Sequence, residues 1–289
     1  MQWLNYLRLF RPLNLLILIL TQATVYLTLP ESGCFEFDLS GRFVALMLST
    51  VCLAAAGYVI NDYFDAKIDL INKPDRTVLD TQVSRRYAIA WHILLNLIGI
   101  ATGFALSFKL GVFNTGVALA LLLYSSTLKK YFFVGNLFVA ALLGLVVFVV
   151  WLFDQGLNFE LVLFYSFFAG LTGLLREIIK DIEDMEGDAQ FGGRTVPLRL
   201  GVYGTKQLLN VFTGIFLAFL GFFVVAAYFE INSLIAGYLA LTVAIPTFHF
   251  LWRLQMADTK AGFHWLSREL KLIMVSGLLS LFLVCTQGF

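Results

Sequence analysis

The sequence predicts an all-α, polytopic membrane bundle. Three observations carry that expectation: an excess of apolar residues, a regular series of long apolar runs, and a lopsided distribution of basic residues between them. Of the 289 residues, 60% are hydrophobic and only 13% are charged. A soluble domain is nearer half apolar and about a quarter charged. A chain of this composition suits lipid as its solvent.

A spanning helix needs about 20 mostly apolar residues. Nine segments qualify, at roughly 11–30, 42–61, 87–107, 110–128, 132–153, 160–180, 207–229, 232–252 and 271–287. The first follows a short basic stretch, as a signal peptide would. The run from Leu13 to Leu29 is long, however, and no small-x-small cleavage site follows, so it reads as a retained first span. The second runs straight into an acidic cluster. The third and fourth are separated by little more than Phe108-Lys109 and form a tight hairpin. The fourth ends Tyr124-Ser125-Ser126-Thr127-Leu128-Lys129-Lys130, and the sixth leads into a second acidic cluster. No long structureless linker intervenes, so residues 1–289 read as a single transmembrane domain.

Basic residues fix the expected orientation. Nine spans sort the polar segments into two alternating sets. The set holding the N-terminus and the segments near 62–86, 129–131, 176–206 and 253–271 carries 18 of the 20 Lys and Arg residues; the other holds only Arg42 and Lys109. The N-terminus and the long loops are therefore expected on the cytoplasmic side of a bacterial or archaeal-type inner membrane, with the C-terminus outside. A net charge of +1 gives no field that would draw nucleic acid. Cys34, Cys52 and Cys285 lie far apart and form no CxxC pair, which argues against a zinc site or a disulfide framework. His92, His249 and His264 are equally scattered, and His249 and His264 read as packing or interface residues.

Eleven of the 13 acidic residues on the expected cytoplasmic side fall in two places, Asp62 to Asp80 and Glu177 to Asp188. The first begins Asn61-Asp62-Tyr63-Phe64-Asp65-Ala66-Lys67-Ile68-Asp69. The second reads Asp181-Ile182-Glu183-Asp184-Met185-Glu186-Gly187-Asp188. Both contain D-x-x-D-x-x-x-D. On a helix turning about 100° per residue, those positions fall within roughly 60° of one another. Asp62, Asp65 and Asp69 would line one stripe with Asn61 beside it. Asp181, Asp184 and Asp188 would line another, extended one turn back by Glu177. Carboxylates at that spacing repel, and partial desolvation near a membrane raises the cost. A divalent cation would compensate. Magnesium prefers oxygen and typically takes one or two carboxylates, waters and phosphate oxygens. Two facing stripes would hold two or more such ions around a diphosphate.

The clusters also echo each other downstream. Arg76-Thr77-Val78 and Arg194-Thr195-Val196 follow the last aspartate of each by seven and six residues. The motifs lie four spans apart with the same topology, which suggests a parallel internal repeat of four helices meeting at a central site. A charge run beside a span is commonly just a solvated loop, but matched spacing on one side twice over is harder to reach by accident. Arg76, Arg194, Lys129 and Lys130 lie on the same side as candidate diphosphate contacts, although the positive-inside bias alone would also put cations there.

These residues resemble the signatures of the UbiA superfamily of intramembrane prenyltransferases. Asn61-Asp62-x-x-Asp65-x-x-x-Asp69 is similar to the first signature and Asp181-x-x-Asp184-x-x-x-Asp188 to the second. The Arg11-Pro12-x-Asn14 entry to the first span, the Tyr124…Leu128-Lys129-Lys130 end of the fourth and the count of nine also match. The resemblance implies a nine-helix bundle with a central cavity capped by cytoplasmic loops. It implies Mg2+-dependent transfer of a prenyl group from its diphosphate to a lipophilic acceptor. Asn61, Asp65 and Asp69, with Asp62 beside them, would be metal ligands of the first motif, and Asp181, Asp184 and Asp188 those of the second. Asp65, Asp69, Asp184 and Asp188 would be the catalytic acids. Arg76, Lys129, Lys130 and Arg194 would neutralise the leaving diphosphate, and Tyr124 would hydrogen-bond it. The second motif looks most similar to the geranylgeranylglycerol-phosphate geranylgeranyltransferase branch, so an ether-lipid-like product is expected. An aromatic quinone precursor or a chlorin-type acceptor is the alternative.

Two rivals are weighed against this reading. A CDP-alcohol phosphotransferase would carry D-G-x-x-A-R, which is absent. A cation transporter would carry acids near mid-membrane, whereas nearly all of these lie at or beyond one set of span ends.

Overall fold

The computed structural model describes residues 9–30, 40–72, 74, 77, 79–80 and 82–285. Its helices are α1 (Pro12–Thr28), α2 (Gly41–Asn72), α3 (Arg85–Leu106), α4 (Phe108–Ser126), α5 (Val134–Phe153), α6 (Phe159–Glu183), α7 (Met185–Gln190), α8 (Val196–Ala226), α9 (Ser233–Leu239), α10 (Ile245–Met256) and α11 (Lys260–Cys285). Among the described residues there is no β-strand, only the isolated bridges Pro30–Leu157 and Leu79–Val83.

Among the described residues, seven helical runs are long and apolar enough to cross a membrane: α2, α3, α4, α5, α6, Val196–Phe229 and Ser233–Met256. They coincide with seven of the nine expected spans. The first expected span is the shorter helix α1, of 17 residues. The last falls within α11, whose first half carries Lys260, Arg268, Glu269 and Lys271; residues 286–287 of that span lie outside the described residues. Val196–Phe229 and Ser233–Met256 reach their length through π-helical turns at Ala227–Ile231 and Ala240–Ala244.

The chain divides into two compact units. The first comprises Met1–Gln22, Asp38–Tyr131 and Glu186–Gly193. Its helices invert the soluble pattern. In α3 the buried residues are the small Ala88, Gly99 and Gly103, while Ile93 and Leu97 are 52% and 62% exposed. Apolar side chains face outward, toward lipid, and small residues let backbones approach, which is how helices pack without a hydrophobic driving force between them. A Cβ at Gly103 would stand 2.3 Å from Asn114 Nδ2. That amide, on α4, donates to Ser49 Oγ of α2 at 2.7 Å and to Gly99 O at 3.0 Å. Ser49 Oγ in turn donates to Gly99 O at 2.7 Å. This buried polar knot joins three helices deep in the apolar region, where every polar group needs a protein partner.

The expected hairpin between α3 and α4 is a single residue, Ser107. Its backbone N–H closes α3 on Gly103 O, and its hydroxyl accepts from Leu110 N at 3.2 Å to open α4. One residue thus satisfies orphan groups at both helix ends.

The second unit comprises Ala23–Phe37, Phe132–Met185 and Arg194–Phe289. Helices α5 and α6 approach so closely that a Cβ at Gly144 would meet Ser166 O at 2.9 Å. Helices α6 and α11 are joined by a bond between Tyr165 Oη and Ser280 Oγ, 2.7 Å long and buried. Aromatic stacking of Phe164 on Phe219 and Phe223 joins α6 to α8. Helix α8 opens with Pro197 in its first turn and bends at Gly201, whose φ of 68° a side chain would resist.

Candidate active site

The first motif lies on α2, which continues unbroken through Asn61, Asp62, Asp65 and Asp69 to Asn72. The expected stripe therefore exists. The adjacent face of the same turns packs Val59, Tyr63 and Ala66 against Leu9, Leu79, Val83 and Ala88. That anchorage fixes the rotation of α2 and leaves the aspartates on a neighbouring stripe.

The stripe is already met by cations. Arg11, held at a φ of 52° just before α1, pairs with Asp62 and lies 5.0 Å over the Tyr58 ring. Positive φ is uncommon outside glycine, so the ion pair and the ring contact hold Arg11 in place. Asp69 is within electrostatic range of the same guanidinium. Lys129, from the 3₁₀ turn Leu128–Lys130 after α4, puts Nζ 2.6 Å from Asp65 Oδ1 and 3.4 Å from Asn61 Oδ1. Asn61 Nδ2 donates to the other oxygen of Asp65 at 3.0 Å.

The second motif departs from expectation. Its three aspartates do not share one continuous helix. Helix α6 carries Asp181 and ends at Glu183, Asp184 is its cap residue with φ −100° and ψ 4°, and Asp188 sits on the separate short helix α7. The physical reason is a diverted amide. In a continuous helix Gly187 N–H would bond back to Glu183 O. Here it donates to the buried side chain of Asn72, Oδ1 at 2.9 Å. A Cβ on residue 187 would meet Asn72 Nδ2 at 2.5 Å, so glycine is required for this approach. Helix α7 then closes through Gly192, φ 72°, with Gly193 N–H bonded to Asp188 O at 2.8 Å, a glycine-terminated helix end. Asp188 and Asn72 belong to the first unit, Asp181 and Asp184 to the second.

In the second unit, Asp181 Oδ2 accepts from Asn136 Nδ2 at 2.8 Å. Asn136 is buried in the first turn of α5. Glu177 Oε1 accepts from Lys180 Nζ at 2.5 Å and from Arg176 at 3.4 Å. Glu183 Oε2 meets His264 Nδ1 at 3.0 Å, and His249 Nδ1 meets Glu269 Oε1 at 2.6 Å. Both histidines thus brace carboxylates.

Among the expected phosphate contacts, Lys129 reaches the first motif. Tyr124 lies half-buried on the last turn of α4. Lys130 and Arg194 are exposed and enter no ion pair among the described residues. Arg76 lies outside the described residues. Sequence reasoning missed Asn136, Asn72 and the pairing of Arg11. Asn136 left a usable signal: an amide at the end of an otherwise apolar span must find a partner. Asn72 left none, because its partner is a backbone amide 115 residues away.

The donors suit magnesium. Asn61 Oδ1 and Asp65 Oδ1 already converge on one positive charge, the Lys129 ammonium, and all the motif donors are hard oxygens. Among the described residues no three His, Cys, Asp or Glu side chains form a ready-made cage. Magnesium does not require one, since it keeps waters and takes substrate phosphate oxygens.

Fold and site together define a polytopic helical membrane protein with acidic, oxygen-donor motifs at its helix ends. The chain belongs to the UbiA prenyltransferase family, whose sequence profile matches residues 18–275, and it is accordingly an integral membrane prenyltransferase. A digeranylgeranylglyceryl phosphate synthase of Methanosphaera stadtmanae is 32% identical over 81% of this chain and 86% of its own length. One from Korarchaeum cryptofilum is 30% identical over 83% and 82%. A solved structure of a UbiA homologue from Archaeoglobus fulgidus, bound to GPP and Mg2+, has the same fold, with a TM-score of 0.67, 18% identity and coverage of 98% of this chain and 99% of that one.

Proposed function

We propose that this protein transfers a geranylgeranyl group from its diphosphate to geranylgeranylglycerol phosphate, with Mg2+ as cofactor. The observation that carries the reading is the likeness to relatives named digeranylgeranylglyceryl phosphate synthase over four-fifths of the chain. The acidic motifs support it. Asn61, Asp65 and Asp69, beside Asp62, and Asp181, Asp184 and Asp188 would hold the metal and through it the diphosphate. When bound, Mg2+ would neutralise charge that develops on the leaving diphosphate.

The reaction separates charge. The C1–O bond of the prenyl diphosphate breaks, its electron pair leaves on the diphosphate, and the allyl group becomes cationic. The acceptor hydroxyl oxygen bonds to C1 and its proton is released. Lys129, fixed by Asp65 and Asn61, is the chain's own cation for the departing oxygens, the kind of preorganised charge that stabilises such a transition state. Arg76, Arg194, Lys130 and Tyr124 remain proposed contacts to the same group. Apolar and aromatic surroundings would keep water from quenching the allyl cation.

We also propose nine crossings, with α1 and α11 as the first and last. An odd number sets the termini on opposite faces, in accord with the division of 18 basic residues against two. The motif-bearing ends would then face the cytoplasm.

Purified protein in detergent, given labelled geranylgeranyl diphosphate, Mg2+ and a panel of acceptors, tests the assignment. The expected product is digeranylgeranylglyceryl phosphate, its formation abolished by EDTA. Prenylation of aromatic quinone precursors or chlorins, with the glycerol phosphate lipid left untouched, would refute it.

A further inference from the structure

The entry to α5 is built in a way that the acidic motifs alone do not require. Val134 N–H donates to Phe132 O at 2.7 Å, closing a three-residue turn centred on Phe133, whose φ is 61° and ψ −23°. A turn of that hand is rare and strained, and a bulky side chain at positive φ is an outlier. Phe133 is also the residue on which α5 starts: its carbonyl accepts the first helical bond, from Leu137 N at 3.1 Å. Helices commonly start from an extended residue whose side chain takes up a free N–H. Phe133 is not extended, and its side chain makes no capping bond.

Strain of this kind persists where the surroundings over-determine it, and it gathers at functional sites. The ring of Phe133 supplies the hold. It stacks on Phe212 of α8, with centroids 5.4 Å apart and planes 20° from parallel. Phe132 and Val134 on either side are exposed, while Phe133 is half-buried. Three residues on, buried Asn136 donates to Asp181 Oδ2 at 2.8 Å. The first turn of α5 is therefore pinned at two points, to α8 by a ring and to α6 by an amide, all within the second unit. Three residues of helix rise only about 4.5 Å, so a shift at residue 133 is carried directly to residue 136.

We propose that Phe133, stacked on Phe212, is a positioning residue for the second motif. It fixes the root of α5 so that Asn136 holds the Asp181 carboxylate in the orientation that takes magnesium. The role explains why a phenylalanine stands where glycine would be at ease: glycine would accept the turn but would bring no ring. The assignment rests on the proposed function, because it requires Asp181 to be a metal ligand in a magnesium-dependent transfer.

The test is the magnesium titration of prenyl transfer by purified full-length protein in detergent. Phe133→Gly keeps the backbone turn, which glycine adopts freely, and removes the ring; Phe212→Leu removes the ring's partner. Each should raise the Mg2+ concentration for half-maximal rate by about 2- to 10-fold, the worth of one stacked aromatic pair. Phe133→Tyr keeps a ring and should titrate like wild type. Added to Asn136→Leu, Phe133→Gly should give no further shift, because both act on Asp181 along one path. Phe164→Leu breaks a different stack between α6 and α8; it should lower the thermal midpoint and leave the titration in place. An unshifted titration in both Phe133→Gly and Phe212→Leu would overturn the assignment. So would a shift that multiplies with that of Asn136→Leu, or an equal shift in Phe164→Leu, since the ring would then only add stability. A wild type with no magnesium-dependent prenyl transfer would overturn the proposed function, and the positioning role with it.

Discussion

The bond between Gly187 and Asn72 yields a sharp expectation, because two opposing effects of known size meet at one residue. Replacing Gly187 by Ala puts a Cβ 2.5 to 2.8 Å from Nδ2, Cγ and Oδ1 of Asn72, closer than such atoms ever stand. Asn72 must give way, and the 2.9 Å bond to the residue 187 amide is lost. A buried N–H left without its acceptor costs about 1–3 kcal/mol. Alanine returns up to about 1 kcal/mol in helix propensity. Gly187→Ala alone should therefore be neutral to about 3 kcal/mol destabilising for α7. Asn72→Ala should also cost about 1–3 kcal/mol, for the same lost acceptor. In the double variant the obstruction is gone and only the propensity gain remains, so Gly187→Ala made on top of Asn72→Ala should be neutral or stabilising. The sign change is the signature. Because α7 carries Asp188, the rate should follow, each 1.4 kcal/mol of misplacement lowering transfer about tenfold. The assay is a double-mutant cycle on magnesium-dependent prenyl transfer, with thermal unfolding in detergent alongside. Additive losses would refute the argument, since independent sites add and coupled ones do not.

Asp65→Ala and Asp184→Ala should each abolish prenyl transfer while leaving the protein in the membrane fraction; magnesium-dependent turnover in both would sink their assignment as ligands. Asn136→Leu should raise the Mg2+ concentration for half-maximal rate by about 10- to 100-fold, the usual effect of removing a group that orients a ligand, and an unchanged magnesium titration would deny Asn136 that part. Asn114→Leu should lower the thermal midpoint of the first unit through the loss of two buried bonds, each about 0.6 kcal/mol in membranes, with little change in the KM for either substrate.

Much of the architecture was legible because lipid imposes a blunt rule: long apolar runs must be helices. Seven of the nine expected spans are such helices in the structure. The first motif was legible for a related reason. Its spacing matches the helical period, and α2 runs straight through it. The second motif misled at Asp184, because spacing assumes an uninterrupted ladder of backbone bonds. A side chain 115 residues away takes one rung of that ladder. Arg11 and Lys129 show the same limit from another side. Positive-inside bias explains the presence of both as well as of Lys130 and Arg194, so composition could not say which cations reach a carboxylate. The structure separates them: Lys129 is 12% exposed and bonded, while Lys130 stands out in the open.

The ammonium of Lys129 occupies the place where a hard cation would satisfy Asp65 and Asn61, and this makes its removal informative. Both side chains of the pair are largely buried, at 12% and 18% exposure. Taking away one partner of a buried pair costs up to about 3–5 kcal/mol, because the other charge is left uncompensated. Lys129→Met should therefore be strongly destabilised in EDTA. A divalent cation on Asp65 would supply the missing charge, now without competition from the ammonium. Its binding to the folded state alone then adds stability by mass action. The rise in thermal midpoint between EDTA and saturating Mg2+ should be larger in Lys129→Met than in wild type, even as prenyl transfer falls for want of a cation on the leaving diphosphate. A magnesium-dependent rise equal to or smaller than that of wild type would mean that the metal does not use Asp65. The first motif would then hold its lysine only as a structural counter-ion.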